Sequence, residues 1–338
     1  MANETITVSV NALDIGAMAP AARAGYGGLL LLGSTAPNKF AGIVATLQRE
    51  TPERYIMLVM TDQEGGGVER LTNLVAALPW AQTMGKNLTA AQITAEGRRV
   101  GLSMRAAGVN TDLAPVLDVD GRAVEPGATN PDGYRSFSGV PSFAARDGVA
   151  FLDGLRQAGV TSVVKHFPGL GGSTGNTDYG PAATLPWTTL KRNGLIPFKD
   201  AITDGATAVM VSNATVPGLS SLPSSISPVV MQVLRQQLGF SGLIVTDSLG
   251  AGALSALHLA IPAASVRAIE AGADLVLAGS PESSAASLQL AQQTSLAIQS
   301  AVTSGALARS TLETAASQVL ASENQISCPI ATSSTTLG

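Results

Sequence analysis

Short apolar runs alternate with segments of helical spacing along almost the whole chain. The runs are rich in Val, Ile and Leu and mostly end in Gly or polar residues, a pattern typical of buried parallel strands. We predict eight strands, at 6–10, 27–33, 56–60, 109–116, 160–167, 206–212, 242–245 and 273–278.

Between these runs, apolar residues recur at the spacing of one helix face. Ser227 followed by Pro228 indicates a helix start, with Ser as N-cap and Pro at the first helical position. We predict helices at 17–24, 38–50, 90–107, 142–158, 195–204, 227–238 and 263–271, and two more that begin at Ser283 and Ser310.

The regular alternation of strands and helices predicts a parallel sheet. Eight such units favour an α/β fold of the (β/α)8 TIM-barrel type, with an irregular first unit. The alternative is an open doubly wound sheet, which is disfavoured because no Gly-x-Gly-x-x-Gly stands at a first strand–helix turn. We predict one barrel domain over 1–325 and a Ser/Thr-rich C-terminal tail over 326–338.

Polar side chains follow several strands at the point where each strand ends. In a parallel barrel the carboxyl ends of all strands meet at one face, where reactive groups gather. We therefore expect one cluster at this face, formed by Asp62, Asp112, Lys165, His166, Asn213 and Asp247.

Each of these positions also has a purely structural interpretation. Asp247 is either a site carboxylate or the N-cap of the next helix, and its position favours neither. A single histidine is more often a satisfied core residue, but a buried lysine needs a partner or a ligand. Lys165 beside His166 at a strand end therefore favours a site. The position of Asp62 before a glycine run modestly favours a site. Arg135 lies in a loop between aromatic residues.

The composition narrows the classes of partner. The net charge of −4 disfavours nucleic acid, and the sequence lacks an apolar stretch long enough to span a membrane. Cys328 is the lone cysteine, which precludes an internal disulfide. Only 13% of residues are charged, which favours an exported or envelope-associated protein whose signal segment is absent from this chain; a cytoplasmic protein is the alternative. We also predict a monomer.

The candidate side chains suit a sugar better than other ligands. The sequence has neither a nucleophilic triad signature nor a phosphate loop, and the predicted site needs no metal and no cofactor. Carboxylates with Lys, His and Arg can bind hydroxyl groups, and glycoside cleavage uses a carboxylate near the anomeric carbon with a proton donor for the leaving oxygen.

Five motifs in the expected order, spanning roughly 27–280, resemble those of glycoside hydrolase family 3, especially its single-domain β-N-acetylglucosaminidases of the NagZ type. They are Asp62-Gln63-Glu64-Gly65-Gly66, the segment 112–119, Arg135-Ser136-Phe137, Lys165-His166-Phe167-Pro168-Gly169 and Val245-Thr246-Asp247-Ser248-Leu249. The resemblance implies a (β/α)8 barrel and a retaining mechanism without a metal. It also implies release of N-acetylglucosamine from peptidoglycan fragments or chitin-derived sugars.

Residue roles follow from the same resemblance. Asp247 matches the family nucleophile, and the sugar-binding positions correspond to Asp62, Arg135, Lys165 and His166; Asn213, at the end of the sixth strand, is a further candidate. The resemblance also implies an Asp-Ser-His in the loop after Pro168, but residues 173–180 contain no histidine. Asp178 in that loop is the candidate acid/base, provided burial raises its pKa. Gly67 stands where relatives commonly have Arg.

Two other functions remain open from the sequence. One is a β-glucosidase or another β-hexosidase of the same family. The other is a carbohydrate-binding protein whose catalysis is impaired because the loop histidine is missing.

Overall fold

The protein is a barrel of eight parallel strands surrounded by helices, and a computed structural model describes residues 1–52, 56–279 and 281–327. The strands are β1 (Ile6–Asn11), β2 (Gly28–Leu32), β3 (Leu58–Thr61), β4 (Thr111–Asp112), β5 (Thr161–Phe167), β6 (Ala208–Val211), β7 (Leu243–Thr246) and β8 (Val276–Leu277).

The strand order is that of a (β/α)8 barrel. Each strand pairs in parallel with its sequence neighbour, and β1 also pairs with β8. A parallel bridge between Val245 and Leu275 brings β7 next to the chain that enters β8, so the sheet closes on itself. The predicted TIM barrel is confirmed.

The helices lie outside the strands, and most connect one strand to the next. They are α1 (Ala19–Arg23), α2 (Phe40–Glu50), α3 (Ala81–Asn87), α4 (Ala90–Ala107), α5 (Pro141–Gln157), α6 (Trp187–Leu190), α7 (Leu195–Thr203), α8 (Pro228–Gln232), α9 (Gly252–Ser255), α10 (Ile261–Ala271), α11 (Ser284–Ser304) and α12 (Arg309–Ser327). The predicted bounds of α4 are confirmed: a capping box of Thr89 and Gln92 starts this helix, and left-handed Gly108 ends it.

Strand side chains divide into two apolar cores. Alternate residues such as Leu58, Met60, Val163 and Met210 pack inside the barrel, where Val319 of α12 joins them. The other face of each strand packs against the helices, as Val59, Val164 and Val209 do. Burial on both faces explains why the strands appear in the sequence as continuous apolar runs.

Two local predictions are wrong in detail, and one of the two interpretations of Asp247 is excluded. β4 is much shorter than predicted, because Pro115 has no N–H for the ladder; a single bridge from Val116 to Lys165 follows it. The predicted helix 227–238 is α8 followed by a π-helical turn, and the hydroxyl of Ser227 bonds Ser220 at 2.8 Å instead of capping. Asp247 is not an N-cap, because the next helix, α9, begins after Ala251.

The predicted tail begins inside a helix. α12 continues to Ser327, two residues into the predicted tail, while 328–338, with Cys328, lie outside the described residues. Among the helices of the described residues, none has the length and apolar character needed to cross a bilayer.

Candidate active site

A polar cavity of about 270 Å³ opens at the carboxyl ends of the strands. Its ionisable lining comes from the loops after β3, β4 and β7, from the end of β5 and from the loop that follows it. Its ionisable residues include Asp62, Glu64, Arg135, Lys165, His166, Asp178 and Asp247. Four of the six residues that we expected to converge here, Asp62, Lys165, His166 and Asp247, line this cavity.

Lys165 is the cation at the base of the cavity. Its side chain is almost fully buried, and its Nζ lies 2.7 Å from Oδ1 of Asp62 and 2.5 Å from Oε1 of Glu64. Burial disfavours its charged form, but the two carboxylates outweigh that cost and raise the pKa of Lys165 above its usual value. The lysine therefore stays charged and fixes both carboxylates.

Arg135 forms the second half of the same network. Its guanidinium binds Glu64 with two parallel hydrogen bonds, Nε to Oε2 at 2.7 Å and Nη2 to Oε1 at 2.8 Å. Nη1 donates to the carbonyl of Pro131. Burial alone would raise the pKa of Glu64, but Arg135 and Lys165 hold it well below its usual range. Glu64 is therefore an ionised bridge between two cations.

Asp118 fixes the orientation of His166. The carboxylate accepts the backbone N–H of Leu170 at 2.6 Å, and its Oδ2 lies 2.7 Å from Nδ1 of the imidazole. Burial, helped by Arg135, lowers the pKa of His166 to about 4. A neutral ring that donates from Nδ1 to Asp118 keeps a lone pair on Nε2. Nη2 of Arg135 lies 3.5 Å from this nitrogen, which can also accept a hydrogen bond from a ligand.

An irregularity in β5 brings two consecutive side chains to the same cavity. Val164 pairs with Val209 and Phe167 with Val211, so the register shifts between these pairs. In a regular strand, Lys165 and His166 would point to opposite faces. A bulge re-aims a side chain, and both residues line the cavity here.

Asp247 enters the cavity directly after β7. Its Oδ1 accepts the backbone N–H of Ser248 at 2.7 Å. Burial raises its pKa above the ordinary aspartic acid value, the charge of Asp178 adds to this shift, and the hydrogen bond from Ser248 opposes it. Asp247 and Asp178 therefore influence each other electrostatically.

Asp178 lies on the rim, in the loop after β5. The residue is exposed on its outer side, while its carboxylate belongs to the cavity lining. Desolvation raises the pKa of its carboxyl, against the opposing charge of Arg135. A raised pKa is what a carboxyl group requires to act as a proton donor.

Two of the expected residues do not line the cavity. Asp112 is buried below it and accepts the backbone N–H of Gln63 at 3.0 Å. The Asn213 amide donates to the carbonyl of Ser248 at 2.7 Å and accepts the hydroxyl of Ser225 at 2.6 Å. Asn213 thus supports the chain beside Asp247, and we expect no direct contact with a ligand.

Glu64 and Asp118 organise the site, although the sequence pattern predicts no individual role for either of them. Glu64 lies in the Asp-Gln-Glu-Gly-Gly motif, so a signal was present. Nothing local identified its two cationic partners, because Lys165 and Arg135 are distant in sequence.

One group of described residues has the spacing of metal ligands. Asp118, Asp132 and His166 offer atoms that all lie within 4.8 Å of one another. In this arrangement Asp118 is engaged by the imidazole and by Leu170 N–H. Burial and the charge of Asp118 raise the pKa of Asp132 well above its usual range, so a proton on Asp132 relieves their repulsion. The contacts fit a role in orienting His166.

Taken together, the cavity offers two carboxyl groups whose pKa values are raised by burial, Asp247 and Asp178, and several hydrogen-bonding groups. A pair of carboxyl groups is the arrangement used for general acid and nucleophile at an acetal carbon. The fixed charges and the neutral imidazole match the hydroxyl groups of a sugar.

The comparisons with known proteins agree with one another. A model of the glycosyl hydrolase family 3 N-terminal domain matches residues 22–322. Beta-hexosaminidase LpqI of Mycobacterium tuberculosis is 34% identical over 232 residues, which are 65% of this chain and 58% of LpqI. A beta-hexosaminidase of Methylococcus capsulatus is 33% identical over 273 residues, 78% of each chain. The crystal structure of a beta-N-acetylhexosaminidase from Beutenbergia cavernae superposes with a TM-score of 0.82, 30% identity and coverage of 96% and 97%.

Proposed function

The chain belongs to glycosyl hydrolase family 3, and we propose that it is a retaining β-N-acetylglucosaminidase. The single observation that supports this most strongly is that Asp247 and Asp178 line one cavity together with the Lys165 network and His166. The names of the relatives point the same way, since two of them are beta-hexosaminidases.

In the proposed reaction the two carboxyl groups have separate roles. The Asp247 carboxylate attacks the anomeric carbon of a terminal β-linked N-acetylglucosamine, the glycosidic bond breaks, and protonated Asp178 gives its proton to the leaving oxygen. A glycosyl ester on Asp247 results. Asp178, now ionised, takes a proton from water as the water oxygen attacks the same carbon, which releases the sugar and restores both groups.

The remaining groups hold the sugar during both steps. Asp62 accepts hydrogen bonds from sugar hydroxyls while Lys165 and Arg135 donate to them, and Nε2 of His166 accepts a hydrogen bond from a further hydroxyl group. Because this network is charged and buried before any ligand arrives, the sugar meets groups that are already oriented.

We propose peptidoglycan fragments or chitooligosaccharides as the substrates. The low charge content of the chain favours action outside the cytoplasm. Cell fractionation with antibody detection tests the location, and recovery only in the cytoplasm would contradict it. The monomeric state stays a prediction.

The deciding experiment measures turnover of nitrophenyl β-N-acetylglucosaminide and nitrophenyl β-glucoside by the full chain and by Asp247→Asn. We expect preference for the N-acetylglucosaminide and a loss of about 10⁴-fold or more in kcat for Asp247→Asn. Preference for the glucoside would replace the substrate proposal with a β-glucosidase. Binding of N-acetylglucosamine without any turnover would indicate a carbohydrate-binding protein.

A further inference from the structure

We infer that Gly252 is a positioning residue for Asp178, because its lack of a side chain lets α9 hold the loop that contains this acid. The inference rests on the proposed role of Asp178 as acid/base. It concerns a residue outside the cavity lining, in the segment that follows the nucleophile strand β7.

Two backbone hydrogen bonds join the loop to α9. The N–H of Gly252 donates to the carbonyl of Asp178 at 3.0 Å, and the N–H of Ala253 donates to the carbonyl of Thr177 at 3.0 Å. The first N–H groups of any helix have no partner within the helix, and those of α9 find theirs in the loop. The loop is therefore bound through the backbone of the acid residue itself.

The approach is too close for a side chain at position 252. A Cβ built on Gly252 would lie 2.7 Å from the carbonyl carbon of Tyr179, 2.8 Å from the nitrogen of Gly180 and 2.9 Å from the carbonyl oxygen of Asp178. All three are backbone atoms, so no side-chain rotation relieves the contact. Gly252 is helical, and an alanine is compatible with that conformation. Only the contact with the loop excludes an alanine at position 252.

The same segment also holds the nucleophile. After Asp247, the carbonyl of Ser248 accepts the Ala251 N–H at 3.1 Å and the Asn213 amide at 2.7 Å, which fixes the path from β7 to Gly252. The nucleophile and the attachment point of the acid are thus parts of one short connection. Movement of the loop away from α9 changes the distance between the two carboxyl groups.

The loop also has contacts away from α9. Asn176 accepts the Asp178 N–H through its Oδ1 at 2.9 Å and donates its own N–H to the carbonyl of Ala128 at 2.9 Å. These bonds shape the turn and attach it to the loop after β4. Tyr179, the residue after the acid, is 73% exposed.

The test compares Gly252→Ala with Gly180→Ala, a matched control in the same loop whose added Cβ would meet nothing within 4 Å. With chitobiose, whose leaving group needs a proton, we expect kcat/KM of Gly252→Ala to fall about 100-fold. The leaving group of dinitrophenyl β-N-acetylglucosaminide needs no proton. With this substrate the fall in kcat/KM, which reports the first step, should stay within about threefold. Gly180→Ala should match the wild type on both.

A pH profile separates positioning from general damage. If the loop moves outward, Asp178 becomes more hydrated and its raised pKa falls, so the basic limb of kcat/KM for Gly252→Ala should move to lower pH. Equal losses on both substrates, or an unchanged profile with full activity, would overturn the inference.

Hydrogen–deuterium exchange on the wild type tests the inference without a variant, so its result does not depend on whether Gly252→Ala folds. The amides of Gly252 and Ala253 have the loop carbonyls as their partners, so we expect slow exchange in the ligand-free protein. Exchange at the rate of an open loop would overturn the inference. A wild type that turns over no N-acetylglucosaminide would instead refute the proposed function, which keeps the two failures distinct.

Discussion

Nδ1 of His166 lies 2.7 Å from Oδ2 of Asp118, and Asp118 also accepts the backbone N–H of Leu170, shortly beyond that histidine. One buried carboxylate thus fixes both the imidazole and the backbone that follows it. This relationship makes His166 a neutral group whose Nε2 can accept a hydrogen bond from a ligand.

We therefore predict that His166 stays neutral from pH 8 down to about pH 5, because burial lowers its pKa to about 4. Its proton should stay on Nδ1 while Asp118 is ionised, above about pH 6, the value to which burial raises the pKa of that carboxyl. The chain has two histidines, so ring ¹⁵N spectra with His258→Gln as the assignment variant measure this directly. Titration of the His166 ring near pH 6.5 would contradict it. Asp118→Asn should raise KM about tenfold or more, because the ring loses its fixed tautomer.

Removal of the proposed acid should produce a leaving-group-dependent defect. Asp178→Ala should lose about 100-fold or more in kcat/KM on chitobiose but much less on a dinitrophenyl glycoside. Added azide, which needs no general base, should then restore turnover of the aryl substrate about tenfold and yield a glycosyl azide with retained β configuration. Equal losses on the two substrates without rescue would exclude this role for Asp178.

The pH dependence of kcat/KM should be bell-shaped. Activity falls on the acid side as Asp247 becomes protonated and on the basic side as Asp178 loses its proton, and burial raises both pKa values above the ordinary value for aspartic acid. Asp178→Asn should abolish the basic limb on an activated substrate and leave the acid limb in place. Persistence of the basic limb in that variant would assign it to another group.

Glu64 should contribute to stability as well as to binding, because it bridges two buried cations. Glu64→Gln should lower the free energy of unfolding by about 3 kcal/mol at neutral pH. The exposed Arg23–Glu50 pair, at 2.7 Å, supplies the control, since Glu50→Gln should cost less than about 0.5 kcal/mol. Urea unfolding of both variants measures the difference, and similar values would contradict the prediction.

The same bridge gives stability a defined pH dependence. Arg135 and Lys165 depress the folded pKa of Glu64, so its contribution is complete above the ordinary value of 4.5 and is lost as the pH falls below it. Wild-type stability should therefore decline below about pH 4.5, and Glu64→Gln should show a shallower decline. An identical slope in both proteins would contradict this.

The sequence alone determined the architecture and most of the site. Apolar runs alternating with helical segments gave eight units, because both faces of parallel strands are buried. Polar residues directly after those runs predicted a cluster at one face, and Asp62, Lys165, His166 and Asp247 do line one cavity. Helix bounds such as those of α4 were accurate where capping residues marked them.

Only the tertiary structure decided how the charges combine. Glu64 receives its two cations from strand β5 and from the loop after β4, both far away in the chain, so no local pattern distinguishes it from a turn residue. The bulge in β5 lets Lys165 and His166 share a cavity, against the alternation that a regular strand imposes. Asn213 was expected to bind ligand, yet its amide bonds Ser248 and Ser225, because hydrogen-bond partners depend on proximity in space and not on position after a strand. The packing of Gly252 against the Asp178 loop has the same origin, since a close approach of two backbones leaves no trace in either segment beyond a glycine.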